Sequence, residues 1–145
     1  MAEQHAAGTT VTFGTSGFTA TILTISGGGI ERQSIDVTPL SQNGGARKKK
    51  VHPYHNVKPY TITYFYDPSF STFPPSTGAA EDITFTSAVV TGGNTAAKEV
   101  GSGYVINEDL PTRDVNDSNF MVGSMTIEMD STNTAWTRTA ETTPV

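Results

Sequence analysis

The chain has 145 residues, a formal net charge of −5 and only 16% charged residues, with no cysteine. That length suits one domain around one core, and the missing cysteine excludes disulfides and thiolate chemistry. No apolar run approaches the ~18 residues of a spanning helix, and the opening "MAEQHAAGTT" has neither a basic nor an apolar leader segment, so the expectation is a protein made and assembled in a cytoplasm, with no membrane partner.

Apolar residues make up 35% of the chain, and Thr, Ser, Gly, Asn and Pro fill the deficit. Thr and aromatic residues suit half-exposed strands, and Gly and Pro suit the turns between them. Helix periodicity is nearly absent, whereas short alternating runs recur. "TTVTF" (9–13) is the first strand, and "GTSG" is a turn. "FTATILTIS" (18–26) is the second, with Phe18, Ala20 and Ile22 expected on one face and Leu23 and Ile25 on the other. Gly27, Gly28 and Gly29 then break or bulge the strand. "IERQSIDV" (30–37) reads as a strand with Ile35 and Val37 on one face. Residues 39–59 form a long irregular excursion, with a turn signal at Asn43-Gly44-Gly45.

"YTITYFY" (60–66) is the clearest strand, with Tyr60, Ile62, Tyr64 and Tyr66 on one face. Asp67-Pro68 ends it, and a Pro-rich connector follows. "EDITFTSAVV" (81–90), a segment around residues 100–106, and "FMVGSMTIEMD" (120–130) complete the strands. In the last of these, Met121, Met125, Ile127 and Met129 share a face. About seven strands predict an all-β fold, an antiparallel β-sandwich or barrel with a long early loop and little or no helix. The expected organisation is an arm at 1–8, the β domain at 9–130 and an extension at 131–145 carrying the lone Trp136.

Candidate chemistry is weak throughout. His5, His52 and His55 lack the sequence context of a nucleophile and base. His52-x-x-His55 offers two metal ligands, but Pro53 opposes a helix and no carboxylate lies within ten positions. Glu81-Asp82, Glu108-Asp109 and Asp114 with Asp117 read as turn residues rather than paired catalytic acids. "DVNDSN" resembles an oxygen-rich calcium loop but lacks the glycine and terminal glutamate of an EF-hand. No phosphate-binding loop is present. The expectation is a non-enzyme with no cofactor and no metal.

The stretch "GARKKKVHPYHNVKP" (45–59) holds five of nine basic residues. Four adjacent cations would neutralise about four phosphates, and Tyr54 and Tyr60 would stack on bases. Yet residues 81–145 carry ten acidic residues against Lys98, Arg113 and Arg138. A cationic loop on an anionic body suits contact between copies of one chain; a solvated loop is the plain alternative. The candidate interface residues are Arg47, Lys48, Lys49, Lys50, His52, Tyr54, His55 and Lys58, and the candidate acidic counter-surface is Glu108, Asp109, Asp114 and Asp117. Changing the three lysines to Glu is expected to block assembly and leave the monomer folded.

The block "GTTVTFGTSGFTATILTISGGGIERQSIDVT" resembles phage and prophage tail proteins related to the tail tube family of long-tailed phages. Further matching pieces follow in order. They are a loop ending in "AR", a strand capped by "DP" (60–68), "GAAEDITF" (78–85), "GSGY" with "VINEDL" (101–110) and "MTIE" (125–128). The resemblance implies a β-sandwich subunit that closes into hexameric rings, stacked around a DNA channel, with residues 39–59 as the loop reaching the adjacent ring. It implies a homo-oligomer, contact with other virion structural proteins and at most non-specific passage of DNA, in a virion assembled in the host cytoplasm. The family's helix after the "DP" strand would be shortened or absent here, and the segment after Asp130 has no counterpart. The alternatives are a capsid cement protein of the same fold, and a carbohydrate-binding adhesin module served by exposed tyrosines and Trp136.

Overall fold

A computed structural model describes residues 8–69, 78–88, 95–116 and 120–142. The expected arm at 1–7, most of the connector after Asp67-Pro68 with the shortened helix, and Asp117 lie outside the described residues. Alternation with period two writes most of the strands: β1 (Thr10–Phe13), β2 (Ile22–Gly27), β7 (Tyr60–Phe65), β8 (Glu81–Thr86), β9 (Lys98–Asp109) and β10 (Val122–Met129). These pair antiparallel in the order β1-β8-β9-β10-β7-β2, and β11 (Thr137–Thr139) adds to β9. The fold is all-β, with no helix among the described residues, and none therefore long and apolar enough to cross a membrane.

The core lies inside the curl of this one sheet, a half-barrel. Tyr60, Ile62 and Tyr64 of the central strand β7 meet Ile83 and Phe85 of β8 and Met125, Ile127 and Met129 of β10, all buried. Phe18, from the β1–β2 connection, closes the curl. Its ring sits edge-on to Phe13 and to Tyr64, both at 5.6 Å, and Tyr60 stacks on Phe85 at 4.0 Å. Ser16 fixes the same connection by donating from its backbone N–H and its hydroxyl to the Glu81 carboxylate, at 2.9 and 2.8 Å.

The expected facing of β2 is corrected. Its register with β7 shifts between Ile22 and Thr24, so Leu23 is an extra residue. The bulge restores the phase: Ile22 and Ile25 both pack on the core, and Leu23 is exposed. The reading of 39–59 as irregular is also corrected. After the glycines the chain forms β3 (Ile30–Glu31) and β4 (Ser34–Asp36), then returns as β5 (Lys49–Val51) and β6 (Asn56–Val57). β4 pairs β5 and β3 pairs β6. With β2 and β7 behind them, these make one long interrupted hairpin.

Residues 130–142 fold back on the sheet. Trp136 packs against the core and its Nε1 donates to the Tyr60 hydroxyl at 3.1 Å; that hydroxyl donates to Glu99 Oε2 at 2.6 Å. Burial, then the Glu99 hydrogen bond, pushes the Tyr60 phenol well above its usual pKa. The preceding turn is held by Ser102, a fully buried side chain of β9. Its hydroxyl donates to Asp130 Oδ1 at 2.5 Å and accepts the N–H groups of Asn133 and Thr134, both at 3.3 Å.

Candidate assembly surface

The hairpin leaves the sheet at three consecutive glycines, Gly27, Gly28 and Gly29, with φ of 87°, 79° and 88°. Side chains rarely adopt such angles, and space adds a second demand. A Cβ on Gly28 would lie 2.5 Å from the Tyr60 ring. The glycines therefore let the strand pass tightly over Tyr60 and bend out of the sheet as an arm.

The arm is a two-stranded ribbon with little burial of its own. Ile30, Ile35, Val37, Leu40, Val51 and Tyr54 are exposed, Tyr54 at 79%. A ribbon of this kind is marginal alone, and its ladder is continued by Val37 N–H to Lys48 O at 2.9 Å and His52 N–H to Gln33 O at 2.7 Å. Residues 28–59 hold six cations (Arg32, Arg47, Lys48, Lys49, Lys50, Lys58) against two anions, Glu31 and Asp36.

Arg47 already has a partner in the arm: its Nη1 donates to Asp36 Oδ2 at 2.8 Å. Thr38 donates to the other oxygen from its N–H and hydroxyl, at 2.9 and 2.6 Å. Those Thr38 bonds first, then Arg47, hold the Asp36 carboxyl below the usual range. Lys48, Lys49, Lys50 and Lys58 are exposed, and none makes an ion pair among the described residues. His52 Nδ1 accepts the Tyr54 N–H at 3.2 Å, with the rings 5.6 Å apart. His55 sits instead at the arm's base, in a cleft of about 410 Å³ shared with Glu128, Asp130 and Trp136. Among the described residues no three His, Cys, Asp or Glu side chains are grouped to hold a metal.

Of the acidic residues, Glu128 and Asp130 lie at the arm's base, whereas the candidate counter-surface residues Glu108 and Asp109 lie toward the other end of the sheet. The arm begins where Gly27 pairs Tyr60 and Ile127 pairs Tyr60 from the other side. Glu108 and Asp109 pair with Met125 and Ser124, toward the end where Val122 meets Phe65. Asp109 accepts from Asn107 Nδ2 at 3.2 Å, and Asp114 caps its own turn by accepting the Asn116 N–H at 2.9 Å. The Asp114 contact fits the turn reading of this loop. Burial first, then the Glu108 and Tyr66 charges, pushes the Tyr64 phenol up to about 12.

This end is also apolar. Leu110, Val115, Phe120 and Val122 are exposed, and residues 111–115 and 120–122 line a cleft of about 510 Å³. Its cation, Arg113, lies over the Tyr66 ring at 5.7 Å. Of the aromatic rings, Tyr60 and Tyr64 are buried and Trp136 is half-buried, whereas Tyr54 is exposed and lines the cleft at the arm's base together with Trp136.

Sequence reasoning missed Asp36 as the arm's brace and the exposed apolar residues at both ends. One signal was available: Asn43-Gly44-Gly45 sits midway between "SID" and "KKV", as the turn of a hairpin would.

No protein-family model matches the chain, and no curated protein matches it in sequence. Solved structures do resemble it. A chain of the extracellular contractile injection system PVC, from the sheath/tube terminator in the extended state, superposes with a TM-score of 0.72 at 14% identity, covering 97% of this chain and 99% of that one. A chain of the PVC sheath-tube complex gives 0.70 at 14% identity, over 95% and 92%. A chain of the anti-feeding prophage cap, which terminates its tube, gives 0.71 at 15%, over 97% and 93%. At these identities the likeness establishes the architecture: the chain has the β fold of these tube-associated chains over nearly its whole length.

Proposed function

We propose that the chain is a structural subunit of a phage-tail-like particle and that it builds a tube of stacked rings. The observation that carries this reading is polarity. A cationic arm leaves one end of the sheet, and Glu108, Asp109 and Asp114 occupy the other. Copies facing the same way can join arm to acidic end, a heterologous contact that propagates without limit along an axis. Arg47, Lys48, Lys49, Lys50, His52, Tyr54, His55 and Lys58 belong to the arm side, and Glu108, Asp109 and Asp114 to the receiving side.

Within a ring, the edges of β1 and β2, unpaired among the described residues and a hazard in a free monomer, are closed by neighbours; six copies is the number the family resemblance implies. The fold likeness to chains of a sheath-tube complex and of tube-terminating assemblies supports a tube role over capsid cement. The function is assembly rather than catalysis. DNA passes the finished channel without a specific grip, since the chain outside the arm carries twelve acidic residues against Lys98, Arg113 and Arg138. The assembled site is the particle.

A second reading is favoured by two of the similar structures, which come from tube-terminating assemblies. A terminator uses the same ring but presents one end to a different protein.

The cysteine-free sequence permits a direct test. Two variants, K50C and D109C, are mixed with a short bis-maleimide linker. A head-to-tail contact yields a cross-linked dimer only in the mixture. Dimers from K50C alone would mean that arms meet arms, and no cross-link at any concentration would remove the stacking contact.

A further inference from the structure

We infer that the arm docks through one face only, the face carrying Ile35, Val37, Lys48 and Lys50, and that this face takes the acidic, apolar end of a second copy. The inference rests on the reading of the arm as a contact between copies and specifies which side chains make it.

The register decides the faces. Residues directly opposite in an antiparallel pair share a face. Ile35 pairs Lys50. Val37 N–H donates to Lys48 O, and His52 N–H to Gln33 O. One face therefore bears Gln33, Ile35 and Val37 beside Lys48, Lys50 and His52. It has two half-exposed aliphatic residues, two exposed ammonium groups and no carboxylate.

The opposite face bears Asp36 paired with Lys49, and Ser34 with Val51. Asp36 also binds Arg47 and Thr38 there. Its charge is offset within the ribbon. The four adjacent cations of "RKKK" are thus not equivalent: alternation sends Lys48 and Lys50 to one side, and Arg47 and Lys49 to the other.

The far end of the sheet complements the first face in both respects. Glu108 and Asp109, which alternate to opposite sides of β9 because they pair with the buried Met125 and with Ser124, flank this end with charge, and Leu110, Phe120 and Val122 supply exposed apolar surface beside the cleft of about 510 Å³. Its occupant is accordingly a second copy of this chain, with Ile35 and Val37 against the apolar surface and Lys48 and Lys50 over the carboxylates.

Sedimentation velocity of the full chain over a concentration series tests the assignment, with circular dichroism melting as the check on folding. These side chains are exposed, so all variants should melt as the parent does. K48E/K50E should raise the concentration needed for assembly about tenfold or more, whereas K49E should change it by less than about threefold. Adding E108K/D109K to K48E/K50E should restore assembly. K49E as damaging as K48E/K50E overturns the face assignment, and failure of the charge swap overturns the occupant. Both variants assembling normally beside an assembling parent would show that the arm does not dock. A parent that never assembles would instead overturn the tube reading itself.

Discussion

Replacing Gly103 with valine is expected to cost on the order of 3 kcal/mol, a large share of a domain's stability. Gly103 sits in the middle of β9, paired to Glu81 of β8 on one side and Met129 of β10 on the other. A Cβ there would lie 2.7 Å from the Glu128 carbonyl oxygen and 2.9 Å from Met129 Sδ. The first of these is backbone in a central ladder and has nowhere to go. The close approach lets the end of β10 pair tightly with β9 just before the turn that leads to Trp136. Urea unfolding of G103V should show a midpoint shifted far below that of the parent, and a shift worth less than about 0.5 kcal/mol would contradict this packing.

Ser102→Ala is the second large effect, about 1–3 kcal/mol, because a buried hydroxyl with several partners is lost. Asp130 loses one of its donors, and the N–H groups of Asn133 and Thr134 lose an acceptor. The loss should depend on pH. The Ser102 hydroxyl first, then the Thr132 N–H, lowers the Asp130 pKa. A carboxylate whose folded pKa is depressed stabilises the fold above its unfolded value of about 3.9 and loses that contribution as the pH falls through the folded one. The stability gap between parent and S102A should be full near about pH 6 and should narrow as the pH drops below about 4. A gap that stays constant through acid, measured by urea midpoints, would mean that Asp130 is not the partner that matters.

Much of the sheet was legible because its strands obey period two. The alternation of Tyr60, Ile62 and Tyr64, and of Met125, Ile127 and Met129, states which face is buried. What escaped was whatever depends on pairing. The β2 bulge is invisible in "FTATILTIS", because a one-residue insertion is defined only by register against β7. The arm looked irregular for a related reason. Its strands are two or three residues long and, Val57 apart, exposed, too short for a periodic signal, and they are held mainly by each other. The excess charge of the arm could be read directly from the sequence, but its division between two faces could not, since Ile35 meets Lys50 only across the hairpin. Ser102 looked like a strand serine between glycines. Its role appears only when the chain returns some thirty residues later.

We propose that this chain stacks upon itself, arm to acidic end, into a tube. Negative-stain electron microscopy of the purified full chain over a concentration series tests it most directly. The account predicts rods of constant diameter built from stacked rings and lengthening with concentration. Monomers at every concentration, or single rings that never stack, would contradict it.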